Sequence, residues 1–220
     1  GKLHAIDEHL ARFDQSLGLI GCKRSDIPFS LEQVCHEMID RNKEFFASHE
    51  DAGLVILFSP GDPSLDKHAI EQPTLMMHWT EIPFGSLSKW YRHGCIARST
   101  QTQNVPPACW PPQMKTRSRL QYYFADRESS SHVVPLDSID RGSVVGVLFN
   151  ASGYATESSI SNLLVVNSEG VVVSPKLEDI LHGVTLASVA QELKQLGVPF
   201  AHQNLTWQDI QSAQEIFMTG

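Results

Sequence analysis

The sequence predicts an α/β (α+β) protein with two domains. Amphipathic helical spacing opens the chain and short apolar strands follow it, and a second set of strands and helices comes after the Pro-rich stretch NVPPACWPPQ. The length of 220 residues is sufficient for one large or two small hydrophobic cores. We therefore predict a smaller N-terminal domain over residues 1–87 and a larger, strand-rich domain over residues 88–220.

The N-terminal domain is predicted to contain two helices followed by two strands. Between Ile6 and Ile20 the apolar residues recur at steps of three and four, which gives a helix one buried stripe. Ser30 begins a second helix as its capping residue, with Gln33 completing a capping box, and this helix continues through residue 46. Short apolar runs bounded by turn residues predict strands at residues 53–61 and 74–82.

The C-terminal domain is predicted to be rich in strands. Apolar runs predict strands at residues 95–103, 144–150, 155–166, 170–175 and 215–218. The segment 155–166 is predicted as one continuous strand, the middle member of a meander. Helical spacing predicts helices at residues 117–128 and 184–196, and Thr206 begins a last short helix.

Charge, cysteine content and hydropathy disfavour several classes of protein. The 17 basic and 25 acidic residues give a formal net charge of −8, which argues against binding to nucleic acid or to an anionic membrane surface. The four cysteines form no CxxC pair and the ten histidines show no HxxxH or HExxH spacing, so neither a disulfide framework nor a metal site is predicted. No apolar run reaches the roughly 18–20 residues of a membrane span. We expect a soluble, cytoplasmic protein.

Glu157 interrupts an apolar run, GYATESSISNLLVV, that contains no basic residue. A buried acid must be hydrogen-bonded or paired with a positive charge, because burying an isolated carboxylate is costly. A buried pyridinium nitrogen is a suitable partner, since a carboxylate keeps such a ring protonated. The alternative is a solvated acid at a turn or strand edge. Asn162 follows in the same run, and its alternative is a contact that joins a strand to a loop.

Two cations and one helix start complete the set of candidates. Lys115 lies between the Pro-rich stretch and a predicted helix, where a desolvated amine can form a Schiff base with a carbonyl. Arg12 flanks the stripe of the first helix and has the donors to bind a phosphate. Gly183 precedes a helix whose first amides, those of Val184 and Thr185, suit an anion. The alternatives are solvated cations and an ordinary helix entry.

The order of these motifs resembles that of the class IV aminotransferases, the fold-type IV group of pyridoxal-phosphate enzymes. This group includes branched-chain and D-amino-acid aminotransferases and 4-amino-4-deoxychorismate lyase. The segments that carry the resemblance are EHLARF, MKTRSRL, GYATESSISNLLVV and LHGVTLASV. The resemblance implies a two-domain fold-type IV architecture, pyridoxal 5'-phosphate as the cofactor, and a homodimer that acts on a small-molecule amino acid and a keto acid.

The resemblance also implies roles for the candidates that bind the cofactor. Lys115 would hold it as an aldimine and serve as the general base of transamination. Glu157 would contact the pyridine nitrogen, and Asn162 belongs to the same signature. Arg12 would be a phosphate ligand.

The phosphate would also be held by the amides of Val184 and Thr185, which stand in the LHGVTLASV motif that is similar to the family's Leu-x-Gly-Ile-Thr-Arg. Arg117 or Arg119 would meet a substrate carboxylate, a prediction that rests only on nearness to Lys115.

Departures from the family pattern leave alternatives open. Leu120 stands where family aminotransferases carry a tyrosine, and the pattern from Lys115 to Leu120 resembles the Lys-x-x-x-Arg-Leu of the lyase-type enzymes. Leu186 replaces the family's arginine after Gly-x-Thr. The chain starts at Gly1 and stops at EIFMTG, so we expect a fragment truncated at both ends. A 4-amino-4-deoxychorismate lyase-like reaction and a non-catalytic relative remain alternatives to transamination.

Overall fold

The computed structural model describes residues 2–49, 51–61, 73–131 and 144–220. The helices are α1 (Ile6–Leu19), α2 (Leu31–Arg41), α3 (Lys43–Ala47), α4 (Phe84–His93), α5 (Leu120–Ser131), α6 (Val184–Gln195) and α7 (Trp207–Ser212). The strands are β1 (Ala52–Ser59), β2 (Thr74–Glu81), β3 (Ile96–Gln103), β4 (Val144–Phe149), β5 (Ala155–Ser158), β6 (Asn162–Val166), β7 (Val172–Ser174), β8 (Phe200–His202) and β9 (Glu215–Thr219).

The chain divides into two compact units, Gly1–Ser88 and Lys89–Gly220. The division falls inside α4, a helix that the sequence analysis did not predict because Gly85 and two serines weaken the helical pattern there. Its apolar residues Leu87, Trp90 and Tyr91 are nevertheless spaced by three and four. The two-domain organisation with a boundary at residues 87–88 stays a prediction.

The core of the first unit forms around α1. Leu10, Leu17 and Leu31 are buried there together with Cys22 and Ile27, so the stripe predicted from the apolar spacing is the face that packs. The partly buried side chains packed against this core are Ile6, Phe13, Ile56, Phe58 and Leu75. The last three of these belong to β1 and β2, which pair as an antiparallel two-stranded sheet.

The second helix begins at Ser30 as predicted, with the Ser30 half of the predicted capping box, but it ends earlier. The Ser30 hydroxyl accepts a hydrogen bond from the amide of Gln33 at 3.3 Å, which satisfies one of the unpaired donors at the start of α2. The helix then breaks at Asn42, whose side chain donates to the Met38 carbonyl at 2.7 Å. Asparagine competes for backbone partners in this way, and the prediction of one continuous helix through residue 46 is therefore wrong.

The second unit is built on a seven-stranded mixed sheet with the order β3-β4-β5-β6-β7-β8 and with β9 paired to β6. The β3–β4 and β7–β8 pairs are parallel, and the other pairs are antiparallel. The side of the sheet that α6 covers buries Leu164, Val172, Ile180 and Leu186. A second cluster includes Val147, Leu163, Val165 and Ile210.

The segment 155–166, predicted as one strand, is a tight hairpin. The chain turns at residues 159–161 between β5 and β6, and Glu157 pairs with Asn162 across the hairpin. Ser158 stabilises the turn, because its hydroxyl accepts from the amide of Ser161 at 3.0 Å. This difference matters for function, since the two residues would lie on opposite faces of a single strand but become direct neighbours in a hairpin.

Helix α5 lies against β3 and β4. Gly146 on β4 allows the close approach, because a Cβ there would stand 2.9 Å from the carbonyl oxygen of Ala125. The Glu128 carboxylate accepts from the amide of Thr102 at 3.0 Å and from its hydroxyl at 2.9 Å. These contacts hold α5 against β3 and β4.

In the part of the chain that the structure describes, no helix is long and apolar enough to cross a membrane.

Candidate active site

Glu157 is a buried carboxylate at the centre of the second unit. It lies on β5 with 5% of its surface exposed, between the buried neighbours Thr156 and Ser158. Burial raises the pKa of Glu157, because the interior solvates the charged form poorly. The hydrogen bonds that it accepts and the positive charges nearby act in the opposite direction.

Three groups donate hydrogen bonds to this carboxylate. The Tyr122 hydroxyl donates to Oε1 at 2.6 Å, and the Leu181 amide donates to Oε2 at 3.2 Å. The Asn162 side-chain amide lies 3.4 Å from Oε2. The carboxylate is therefore held from α5, from the loop before α6 and from its own hairpin, which fixes its orientation.

Lys115 supplies positive charge to the same region. It lies in the segment between β3 and α5, and its charge lowers the pKa of Glu157. The preceding Gln113 ties this segment to the loop before α6, because its side-chain amide donates to the carbonyls of Leu177 and Glu178 at 3.2 and 3.1 Å. The segment that carries Lys115 is thus tied to the loop whose Leu181 amide donates to the Glu157 carboxylate.

The start of α6 is the third part of the site. Gly183 is its capping residue and provides no side-chain cap, so the first amides of the helix, including those of Val184 and Thr185, are directed outward without an intrahelical partner. A Cβ on Gly183 would lie 2.1 Å from Oδ1 of Asn162. Asn162 also donates to the Leu181 carbonyl at 3.0 Å. One side chain therefore joins the Glu157 carboxylate to the helix start.

The end of β9 completes this part of the unit. Thr219 pairs with Asn162 in the sheet register, and the Thr185 hydroxyl donates to the carbonyl of Gly220 at 3.1 Å. The buried Oγ1 of Thr219 has no hydrogen-bond partner among the described residues. A buried hydroxyl without a partner is costly and is expected where a ligand supplies one.

These residues fit pyridoxal phosphate. The buried Glu157 carboxylate suits a cationic ring nitrogen, the Lys115 amine suits an aldehyde, and the start of α6 suits a phosphate. The unpartnered hydroxyl of Thr219 is an independent sign that a polar ligand belongs beside this helix start. The fit uses residues of the second unit alone.

The other predicted site residues are placed differently. Arg12 lies in the first unit on α1, where it is partly buried, and burial lowers its pKa. Arg117 is exposed. Arg119 donates to the Ser159 carbonyl, and its guanidinium carbon lies 4.9 Å from the centre of the Tyr122 ring. The roles of these arginines in binding phosphate or substrate stay predictions.

The sequence analysis missed Tyr122, Leu181 and Thr219. Leu181 acts through its backbone amide, which leaves no trace in residue type. Tyr122 carried a signal that could have been used, since Arg119, Tyr122 and Asp126 follow at steps of three and four and form a polar stripe on one side of α5. Asp126 accepts from the Ser159 hydroxyl at 2.9 Å, so this stripe faces the turn of the hairpin.

Comparisons with known proteins place the chain in a family. The model of the family described as "Amino-transferase class IV" matches residues 1–220. A probable branched-chain-amino-acid aminotransferase of Rickettsia felis is 21% identical over 222 residues, which cover 100% of this chain and 70% of that protein.

Solved structures share the fold. A branched-chain aminotransferase from Thermoproteus uzoniensis matches with a TM-score of 0.74 at 21% identity, covering 97% of this chain and 67% of that one. A putative 4-amino-4-deoxychorismate lyase from Legionella pneumophila matches with a TM-score of 0.71 at 19% identity, covering 97% and 71%. The two neighbours carry different activities on one architecture, so the fold alone does not choose between them.

The raised pKa of Glu157 predicts a pH dependence of stability. A carboxyl whose pKa is higher in the folded state favours folding most below its unfolded-state pKa of about 4.3, and this contribution is lost as pH rises through the folded-state pKa. We expect the free energy of unfolding of the ligand-free chain to fall over that interval, and the fall to be smaller in Glu157→Gln. Urea unfolding at a series of pH values measures it. Glu192→Gln, which removes an exposed acid from α6, is the control, and equal slopes in the two variants would contradict the prediction.

The contact between Gly183 and Asn162 predicts that Gly183→Ala damages both stability and the helix start. The added methyl group overlaps the Asn162 side chain, which should lower the free energy of unfolding by about 1–3 kcal/mol. It should also weaken binding of pyridoxal phosphate, measured by absorbance titration. Gly18→Ala is the control, because a Cβ there meets nothing within 4 Å and the change should be neutral or stabilise by up to about 1 kcal/mol. A variant at Gly183 as stable as wild type would show that the contact is unimportant.

Proposed function

The chain belongs to the class IV aminotransferases, a family of pyridoxal-phosphate-dependent enzymes with the fold-type IV architecture, and we propose that it transfers the amino group of a small-molecule amino acid to a keto acid by means of Lys115. Membership confirms the resemblance seen in the motifs. The observation that carries the proposal is the buried Glu157 carboxylate, whose pKa is lowered by the positive charge of Lys115 against the larger effect of burial. If Glu157 were only a surface acid or part of a structural ion pair, the anion-binding helix start at α6 would have no role.

Lys115 acts as the amine that binds the aldehyde and as the general base of the reaction. Its Nζ would take the proton from the α-carbon of the amino acid and give a proton back later in the reaction, so that the lysine acts first as a base and then as an acid. The Lys115 side chain is exposed in the ligand-free chain, so its amine is accessible to an aldehyde. The cofactor, when bound, supplies a ring that accepts the electrons of the broken C–H bond.

The remaining residues hold the cofactor in place. Glu157 would hold the ring nitrogen of the cofactor, and Asn162 donates to Oε2 of that carboxylate. The amides of Val184 and Thr185 bind the phosphate at the positive end of α6. By the resemblance of EHLARF to the family's motif, Arg12 would be a further phosphate ligand.

The test combines a spectrum with a product assay. The purified chain is incubated with pyridoxal phosphate, its visible spectrum is recorded, and borohydride reduction is followed by mass spectrometry of peptides. We expect a visible band and a reduced adduct on Lys115, both absent in Lys115→Ala and both retained in Lys194→Ala, which removes an exposed lysine from α6.

A panel of amino acids then identifies the amino donor. Branched-chain L-amino acids and D-alanine come first, because the relatives are named for such substrates. Formation of the corresponding keto acid supports transamination. An adduct on Lys115 without turnover of any amino acid would instead indicate a non-catalytic relative that binds the cofactor.

A 4-amino-4-deoxychorismate lyase-like reaction is the second candidate. The observation in its favour is the run Lys115 to Leu120, in which Arg119 stands four residues after the lysine as it does in the lyase-type enzymes. Arg119 donates to the Ser159 carbonyl, and its guanidinium lies over the Tyr122 ring. Release of pyruvate from aminodeoxychorismate, with no keto acid formed from the amino acid panel, would select this candidate.

The proposal includes a homodimer in a reducing, cytoplasmic compartment. Three apolar side chains on α5, those of Leu120, Tyr123 and Phe124, are 62%, 55% and 48% exposed, and exposed apolar clusters of this kind are typical of protein interfaces. All four cysteines have free thiols, which supports a reducing compartment. The family resemblance supports two copies.

Phe124→Glu is predicted to dissociate the dimer. A charge placed in the apolar cluster of α5 must be desolvated when that surface is buried, so dimerisation should weaken by at least about tenfold, which corresponds to 1.4 kcal/mol. Sedimentation velocity over a concentration series measures the change. Leu196→Glu is the control, since Leu196 is 74% exposed at the end of α6. A dimer unaffected by Phe124→Glu would place the interface elsewhere.

A further inference from the structure

The Tyr122 hydroxyl makes the shortest hydrogen bond to the Glu157 carboxylate, at 2.6 Å to Oε1. The roles assigned above to Lys115, Arg12 and the start of α6 do not involve it. A bond of this length to an ionised acceptor is strong, because charge-assisted O–H···O⁻ bonds lie at about 2.5–2.7 Å. Tyr122 therefore has a larger effect on Glu157 than the two donors on the Oε2 side.

The ring of Tyr122 is held in a fixed position. The guanidinium of Arg119, one turn earlier on α5, lies over the ring at 4.9 Å from its centre. Arg119 also donates to the carbonyl of Ser159, and the Ser159 hydroxyl donates to Asp126 on the next turn of α5. These contacts join α5 to the hairpin turn on both sides of the Tyr122 ring. The hydroxyl is therefore directed at Glu157 before a ligand binds, and little side-chain entropy of Tyr122 is lost on binding.

The direction of the hydrogen bond follows from the chemistry. Burial raises the pKa of Tyr122, and the negative charge of Glu157 raises it further. The phenol consequently keeps its proton, and the carboxylate accepts. Three groups with charge or a titratable proton act on Glu157 within the described residues, and these are Tyr122, Lys115 and Arg119.

The two carboxylate oxygens of Glu157 accept from different numbers of donors, and this difference indicates where a ligand can bind. Oε2 accepts from the Leu181 amide and lies within reach of the Asn162 amide, while Tyr122 is the one donor to Oε1 among the residues that the structure describes. A carboxylate oxygen has two lone-pair positions. The position that remains on Oε1 lies beside the Tyr122 hydroxyl.

We propose that Tyr122 is a positioning residue that fixes Oε1 of Glu157, stabilises the ionised form of this buried carboxylate, and leaves the second lone pair of Oε1 for the N–H of a cationic ring. The last step rests on the proposed function, whereas the effect on the ionisation of Glu157 belongs to the ligand-free chain. Tyr122 thus acts through Glu157 and contacts no reacting atom.

The test is a titration of Glu157 in the ligand-free chain by NMR. Protein labelled with ¹³C at the glutamate carboxyl carbon is titrated, and the signal of Glu157 is assigned by its loss in Glu157→Gln. In Tyr122→Phe the pKa of Glu157 should rise by about one to two units, because a hydrogen bond to a charged group is removed. Tyr123→Phe removes the hydroxyl of the exposed neighbour and should leave this pKa unchanged.

A measurement on the wild-type chain covers the case in which Tyr122→Phe does not fold. With ¹³C at the tyrosine ring carbon that bears the oxygen, the signal of Tyr122 should shift with the same midpoint as the carboxyl signal of Glu157. The signal of Tyr123 should show no such step. Absence of a shared midpoint, or a Glu157 pKa equal in the two phenylalanine variants, would overturn the proposal.

Failure of this inference is distinguishable from failure of the proposed function. The titrations need neither cofactor nor turnover, so they decide the role of Tyr122 even if Lys115 forms no adduct. Conversely, an adduct on Lys115 together with an unchanged Glu157 pKa in Tyr122→Phe would retain the enzyme and reject the positioning role.

Discussion

The burial of one carboxylate is the constraint on which the second unit depends. Glu157 lies inside a sheet whose neighbouring side chains are buried, and an isolated charge there would be strongly unfavourable. The fold compensates with donors from three separate segments, α5, β6 and the loop before α6. The carboxylate is fully hydrogen-bonded only when all three segments are folded around it. Folding of the second unit therefore also assembles the surroundings of Glu157.

The hydrogen bonds offset only part of the cost of burying Glu157, as expected for a carboxylate that binds a cationic ligand. Burial raises the pKa of Glu157 by more than the hydrogen bonds lower it, so the pKa is raised in the ligand-free chain. A cationic ligand opposite the carboxylate would restore the balance, so part of the free energy of binding comes from relieving a cost that folding alone leaves. The unpartnered hydroxyl of Thr219 is a second cost of the same kind, and its neighbour Gly220 accepts from Thr185 in the first turn of α6.

Much of the fold could be predicted from local patterns, and the remainder depended on contacts between distant residues. The spacing of Leu10 and Leu17 identified the buried face of α1, and Ser30 identified the start of α2. The hairpin of β5 and β6 was missed because small hydroxyl residues fit both a strand and a turn, and Ser158 selects the turn only through its bonds to Ser161. The motifs predicted site roles for Glu157 and Lys115, whereas the contact of Tyr122 with Glu157 was missed because the two residues lie 35 positions apart in the sequence.

The close approach of Gly183 to Asn162 also restricts how such a chain can evolve. Any side chain at position 183 collides with the amide of Asn162, and a shorter residue at position 162 removes the group that joins Glu157 to the start of α6. Neither position can therefore change first without loss, and a viable double replacement would have to supply a new donor from elsewhere. The two residues, 21 positions apart in sequence, are expected to be inherited as a pair.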